Sequence, residues 1–151
     1  YGSVDKECIC NEKQRINYRG KVSGPILDRI DIQIEVPSVK YEKLEGKAGE
    51  SSEIIRERVN KAREIQLTRY KGVNIYSNAE LTPKLIEKVC KLNEPSKIIL
   101  KKSFEKMNLS ARAYSRILKV ARTIADLDGK KDIDSTHIIE AIGYRSLDKK
   151  W

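Results

Sequence analysis

Residues 109–122 read LSARAYSRILKVAR, and their pattern is the strongest indication of the fold. At about 100° of rotation per residue, the apolar and cationic side chains of this stretch and its continuation fall on opposite sides of a helix. The predicted core side carries Tyr114, Ile117, Leu118, Ala121 and Ala125, and the predicted outer side carries Arg112, Arg116, Lys119 and Thr123. Ser110 is a suitable N-cap, and Gly129 lies where a left-handed residue often ends a helix. We therefore predict an amphipathic helix with one cationic face.

The segments on either side of this helix also have helical patterns. A long helix is predicted from about residue 52 to 70, with the inward residues Ile54, Ile55, Val59, Ala62 and Ile65. Thr82-Pro83 is expected to open the next helix, with the inward residues Leu85, Ile86, Val89 and Cys90. Pro95 is expected to open another, and Asp134 or Ser135 to cap the last. Five helices joined by short polar turns predict a helical bundle, so the expected fold class is mainly α.

Residues 1–45 follow a different pattern. Short helices are predicted around residues 12–18 and at Pro25, where a proline suits the first turn. Between Asp31 and Val36, polar residues alternate with β-branched apolar ones, which is typical of a half-buried strand. A lone strand cannot satisfy its backbone groups, so its sheet partners are expected in a longer protein or in another chain. We predict two domains, namely residues 1–45 as part of an α/β core and residues 46–151 as a helical domain.

Two arginines stand where rigid elements begin. Arg29 precedes the predicted strand, which would place its guanidinium on a loop at the edge of a sheet. Arg112 lies in the first turn of the amphipathic helix, where free N–H groups and the helix dipole favour a bound anion. The alternative at both positions is a solvated or ion-paired arginine, and Arg29 has Asp28 and Asp31 beside it.

These stretches resemble the second half of AAA+ ATPases of the magnesium-chelatase-like group, the ComM/YifB family. Residues 24–31, GPILDRID, are similar to the arginine-finger pattern of that family, with isoleucine in place of one leucine. Residues 109–112, LSAR, with the helix that follows, are similar to its sensor-2 region. Residues 50–66 and the EAIGYR of residues 140–145 resemble further segments. The resemblance implies an AAA+ lid domain preceded by the end of the α/β core.

The resemblance also implies roles for the two arginines. Arg29 would reach the nucleotide of an adjacent subunit in a homo-hexamer and stabilise charge on the transferring phosphate. Asp28 and Asp31 would set the turn and steady Arg29. Arg112 would contact the γ-phosphate of ATP, and the resemblance does not decide whether it acts within its own subunit or across an interface. ATP hydrolysis with Mg²⁺ would be coupled to DNA processing during competence, so DNA is an expected partner.

The sequence has no GxxxxGK[ST] loop to hold phosphates and no strand that ends in paired acids to place Mg²⁺. By itself this chain is therefore expected to be inactive. ATP and Mg²⁺ would be bound mainly by an upstream AAA+ core, which is an expected partner together with the neighbouring subunits.

The charge of the chain leaves a second function open. Lys and Arg exceed Asp and Glu by 31 to 22, and a net charge of +9 favours a polyanionic partner. The alternative is a stand-alone basic helical module that binds nucleic-acid phosphates through Arg112, Arg116 and Lys119. A third interpretation, an adaptor bundle, needs an exposed apolar stripe that the sequence patterns do not identify.

Other features bear on location and metals. No apolar run approaches the ~18 residues that a membrane span requires, and no signal peptide is recognisable, so a cytoplasmic protein without a membrane partner is expected. Three cysteines, an odd number, fit a reducing compartment. Cys8 and Cys10 lie closer together than zinc ligands usually do, and His137 is the only histidine, so no metal site is predicted.

Overall fold

The computed structural model describes residues 7–39, Tyr41 and residues 49–145, and these form a mainly helical structure. Seven α-helices and one 3₁₀ turn, Asn78–Glu80, follow one another along the described residues. The helices are α1 (Glu12–Arg19), α2 (Gly24–Leu27), α3 (Ser52–Arg69), α4 (Pro83–Val89), α5 (Glu94–Met107), α6 (Ala111–Leu127) and α7 (Ser135–Gly143). The predicted mainly α fold class is confirmed.

Local capping groups fix where the helices of the bundle begin and end. The side chain of Ser110 accepts a hydrogen bond from Ala113 N at 3.1 Å, as the sequence predicts. Asp134 caps α7, and its own N–H donates to Nδ1 of His137 at 3.0 Å, which completes a capping box. Asn108 ends α5 with a φ of 50°, and Gly129 follows α6 with a φ of 65°. Both residues adopt the left-handed conformation that commonly ends helices.

Helix α6 lies at the centre of the bundle and contacts α3, α4, α7 and the 3₁₀ turn. Its buried apolar residues are Ala113, Ile117, Leu118, Ala121, Ile124 and Ala125. The predicted core side of α6 is thus confirmed except at Tyr114, which is 41% exposed. The ring of Tyr114 lies at the rim of the bundle, where it packs edge-on against Phe104 with ring centres 6.2 Å apart. An aromatic residue at the edge of an apolar arc can reach a neighbour without entering the core.

The first half of α3 differs from the prediction. Ala62 is buried as predicted, but Ile54, Ile55 and Val59 are 53%, 41% and 44% exposed. All residues from 51 to 61 are exposed, whereas Ala62 and Gln66 in the second half of α3 are buried, and α3 packs on α6. The three residues leave an apolar stripe uncovered by the described part of the chain. That stripe is the feature that the adaptor interpretation requires and that the sequence patterns did not identify.

The predicted strand of residues 31–36 does not form in this structure. Its single backbone bridge pairs Gln33 with Arg145, through a hydrogen bond from Gln33 N to the carbonyl oxygen of Tyr144 at 2.7 Å. Buried and exposed residues alternate here in the sense opposite to the prediction. The polar Gln33 is buried, while the apolar Ile32 and Ile34 are 51% and 63% exposed. A strand requires partners along its length, and within the described residues this segment has one pairing position.

A buried polar network fastens the elements around α6. The carboxylate of Asp126, 1% exposed, accepts hydrogen bonds from Arg69 Nη1 at 2.8 Å, Asn78 Nδ2 at 2.9 Å and Arg122 Nε at 3.1 Å. Arg122 also donates to the carbonyls of residues 130–131 at 2.7 and 2.8 Å. The hydrogen bonds to Asp126 raise the pKa of Arg69, so this guanidinium remains charged. Asp126 therefore binds donors from the end of α3, the 3₁₀ turn and α6. Arg122 extends the network to the loop after α6.

Replacement of Asp126 by asparagine should destabilise the bundle severely. Asp126→Asn removes the anion that compensates Arg69 and Arg122, and breaking a buried ion pair on one side costs about 3–5 kcal/mol. Urea unfolding measures this loss. The control Asp132→Asn changes an exposed carboxylate and should shift stability by less than about 0.5 kcal/mol. Equal effects of the two substitutions would show that the network contributes little.

The helical bundle should fold without the first 48 residues. The buried residues of its hydrophobic core lie between Tyr70 and Ala141, and none of the described residues before Tyr70 belongs to that core. A chain that starts at Gly49 is expected to retain its helical circular dichroism and to melt cooperatively. Loss of either property would mean that the segment around residues 24–33 is needed for folding.

Candidate functional site

Arg29 lies in the turn that follows α2. Pro25 stands in the first turn of that short helix, and Leu27, its last residue, is buried. Asp28 N donates to Gly24 O at 2.9 Å, which closes the turn. The guanidinium of Arg29 donates through Nη1 to Pro25 O at 3.0 Å and is otherwise exposed. The side chain is thus held by one N–H group while its remaining donors face outward.

The aspartates beside Arg29 have other partners. Asp28 lies 3.6 Å from Nη2 of Arg145, and Asp31 forms an ion pair with Arg116 of α6. The prediction that Asp28 and Asp31 steady Arg29 is therefore wrong in its direct form, since neither carboxylate pairs with that guanidinium. Both carboxylates instead connect the turn to the helical bundle.

Arg112 is the second residue of α6 and is exposed. Among the residues that the structure describes, its guanidinium has no hydrogen-bond or ion-pair partner. The capping bond from Ala113 N to Ser110 satisfies one of the N–H groups at this helix end, and the N–H groups of Ala111 and Arg112 have no partner within the described part of the chain. A cation and the positive end of a helix therefore face the same region of solvent.

The other two cations predicted to bind phosphate have partners within the chain. Arg116 pairs with Asp31, and the ammonium group of Lys119 donates to Ala79 O of the 3₁₀ turn at 2.8 Å. Lys119, Asp31 and Tyr144 line a groove of about 270 Å³ where the segment after α2 meets α6 and α7. These two cations thus hold neighbouring parts of the chain in place.

The structure places the two candidate arginines on one connected unit. Arg116 lies one helical turn after Arg112, and Asp31, the partner of Arg116, is two residues after Arg29. Sequence reasoning missed Arg145, which is fully buried and contacts the segment that carries Arg29. The resemblance of residues 140–145 to the family was a signal for that residue, but it indicated no contact.

Potential metal ligands are dispersed or engaged elsewhere. The described residues contain no group of three or more His, Cys, Asp or Glu side chains that could hold a metal ion. Both ring nitrogens of His137 are in use, since Nδ1 accepts from Asp134 N and Nε2 lies 3.2 Å from a carboxylate oxygen of Asp128. Burial raises the pKa of the Cys90 thiol to about 11, so it stays protonated and binds metal poorly at neutral pH.

Comparison with known proteins identifies the family. Residues 49–145 match the family model described as magnesium chelatase, subunit ChlI C-terminal, and residues 1–44 match the model described as magnesium chelatase, subunit ChlI. The chain belongs to the magnesium chelatase ChlI C-terminal family. The resemblance drawn from residues 24–31 and 109–112 is thereby confirmed at the level of the family.

Curated relatives extend the match over most of the chain. Competence protein ComM of Haemophilus influenzae is 47% identical over 137 residues, which cover 89% of this chain and 26% of that protein. The uncharacterized protein YifB is 38% identical in Salmonella typhimurium and 37% identical in Escherichia coli, each over 142 residues that cover 93% of this chain and 27% of the relative. The chain spans about a quarter of the length of these curated relatives.

The described helices also bear on membranes. Within residues 7–39 and 49–145, no helix combines the length and the apolar content that crossing a membrane demands.

Proposed function

We propose that this chain is the lid-bearing C-terminal region of an AAA+ ATPase ring, in which Arg29 acts on the nucleotide of the adjacent subunit and Arg112 contacts the γ-phosphate. One observation carries the proposal: Arg29 and Arg112 are exposed at the starts or ends of rigid elements, and neither has a carboxylate partner among the described residues. Their neighbours Arg116 and Arg145 both contact carboxylates. The contrast favours a ligand outside this chain for the two exposed arginines.

The chemistry of a guanidinium suits both roles. It is planar, permanently charged and rich in N–H donors, so it can stabilise the charge that builds on a phosphoryl group during transfer. Arg29 uses one donor to hold its own turn, which limits the freedom of the side chain while leaving donors for phosphate oxygens. Arg112 stands at a helix end whose dipole also favours an anion.

The proposal assigns residues 1–45 to the end of an AAA+ core and residues 46–151 to the lid. The phosphate-binding loop and the acids that hold Mg²⁺ would come from the upstream core, so ATP and Mg²⁺ are cofactors of the assembled protein. The family supports an oligomeric assembly, for which we propose a homo-hexamer in the cytoplasm. The relative ComM is named a competence protein, and this name and the net charge of +9 support DNA as the macromolecule processed.

The stand-alone nucleic-acid module is the weaker alternative. It relies on the charges of Arg112, Arg116 and Lys119, and two of these side chains already donate to groups within the chain. Because Arg116 is paired with a carboxylate and Lys119 is held by a carbonyl, this face attracts a phosphate backbone less strongly than three unpaired cations would.

Loss of the Arg29 guanidinium should abolish most ATP turnover in a protein that joins this segment to its upstream nucleotide-binding domain. We expect Arg29→Ala to lower kcat by on the order of 10³-fold, as for related arginine fingers, with little change in nucleotide affinity. A mixture of Arg29→Ala with a variant that cannot bind nucleotide should recover activity, because the second variant supplies an intact finger. Steady-state ATP hydrolysis measures both effects.

The matched control for Arg29 is Lys21→Ala, which removes an exposed cation from the same part of the chain and should leave turnover unchanged. Unchanged turnover in Arg29→Ala as well would refute the finger assignment and would favour the nucleic-acid-binding module as the function of this chain.

Arg112→Ala should lower turnover in the same protein by about 10²-fold, the usual loss when one donor to a developing anion is removed. The control Lys102→Ala removes an exposed cation from α5 and should have no effect. Recovery upon mixing with the variant that cannot bind nucleotide would place Arg112 across a subunit interface, and no recovery would place it in its own site. A sensor role is excluded if Arg112→Ala hydrolyses ATP as fast as the control.

A further inference from the structure

Arg145 is a buried arginine with a specific set of partners. It follows α7 and is 0% exposed, which is unusual for a charged side chain. Its Nη1 donates to the carbonyl oxygen of Ile30 at 2.7 Å, and its Nη2 lies 3.6 Å from the carboxylate of Asp28. Asp28 and Ile30 are the residues immediately before and after Arg29. One guanidinium of the helical bundle thus donates to the backbone just after the proposed finger and makes an ionic contact with the carboxylate just before it.

Two further contacts fasten the same segment to the bundle. Gln33 N donates to Tyr144 O at 2.7 Å, while the side chain of Gln33 donates to Leu27 O at 3.4 Å and so braces the segment against α2, not against the bundle. Asp31 pairs with Arg116 of α6. The segment of residues 28–33 is therefore joined both to α6 and to the two residues that follow α7, and Arg29 lies between these contacts.

We propose that Arg145 is the positioning residue of Arg29, and that it makes the finger move as one body with the helical domain of its own subunit. This inference rests on the proposed function. Because Arg116 is one turn from Arg112, the lid residue that would sense one nucleotide and the finger that would act on the next belong to the same unit. The orientation of the lid would then set the distance between Arg29 and the neighbouring nucleotide.

The energetics of burial explain why this contact holds. A charged guanidinium that is removed from water must keep its hydrogen-bonding and ionic partners, since an uncompensated buried charge is costly. Detaching residues 28–33 would take Ile30 O and Asp28 away from Arg145. Separation of residues 28–33 from the bundle is therefore unfavourable, although these residues bury little apolar surface.

The first test is amide hydrogen exchange on the 151-residue chain. Arg145→Lys retains the charge but cannot span a carbonyl and a carboxylate in the planar arrangement of a guanidinium. Asp28→Asn weakens the same contact from the other side and leaves Arg145 in place. Both variants should exchange the Gln33 amide at least about tenfold faster, because local opening of this segment becomes easier, while Ala121 in the centre of α6 is unaffected. Unchanged exchange at Gln33 in both variants would overturn the proposal.

The second test separates positioning from mere stability. In the protein that includes the upstream domain, Arg145→Lys and Asp28→Asn should lower kcat with little change in KM. Each should regain turnover when mixed with the variant that cannot bind nucleotide, because that variant presents a correctly held Arg29 to the impaired subunit. A substitution that damaged its own nucleotide site would not be rescued, so a loss of turnover without rescue would overturn the positioning role.

The controls separate this inference from the proposed function. Asp132→Asn changes an exposed carboxylate of the bundle and should behave as the unaltered protein does. If Arg29→Ala lowers turnover but Asp28→Asn and Arg145→Lys do not, the positioning role fails and the finger stands. If Arg29→Ala has no effect, the proposed function itself fails. Should Arg145→Lys not fold, Asp28→Asn carries both tests alone.

Discussion

The buried carboxylate of Asp126 holds together the elements that surround α6. A carboxylate that is 1% exposed must be surrounded by donors, and here they come from the end of α3, the 3₁₀ turn and α6 itself. The same network reaches the loop after α6 through Arg122. Lys119 then binds Ala79 O of the fixed 3₁₀ turn from the outer side. The direction of α6, and with it the position of Arg112 at its start, follows from these contacts.

The three arginines of α6 have different roles, which follow from how buried each one is and whether it has a partner. Arg122 is 2% exposed and serves the buried network, whereas Arg116 is partly exposed and holds the segment after α2. Arg112 is exposed and has no partner among the residues that the structure describes. A paired guanidinium is largely satisfied, while an unpaired one at a helix start can still bind an anion. The functional interpretation of Arg112 therefore depends as much on what its neighbours do as on its own position.

The sequence predicted those features that local interactions determine. Helix ends at Ser110, Asp134 and Gly129 depend on residues within one turn, and the core arc of α6 depends on periodicity alone. Features that depend on distant partners were not predictable. Periodicity shows which face of α3 is apolar but not whether another element lies against Ile55, and alternation near Gln33 cannot supply a neighbouring strand. The motifs located Arg29 and Arg112, but the partners of Asp28 and Asp31 lie some 80 residues or more further along the chain, where no local pattern indicates them.

The ties around Arg29 also bear on how a ring of such subunits would coordinate hydrolysis. Coupling between two sites requires an element with more than one arrangement that both sites influence. A helical domain that carries Arg112 and holds the Arg29 segment through Arg145 would be such an element in a ring where the domain rotates as one body. Any rotation of that domain in response to its own nucleotide would displace Arg29 relative to the neighbouring one, without a separate chain of transmitting residues. The buried guanidinium of Arg145 thus offers a physical reason why hydrolysis in one subunit of the proposed ring would depend on the nucleotide state of the next.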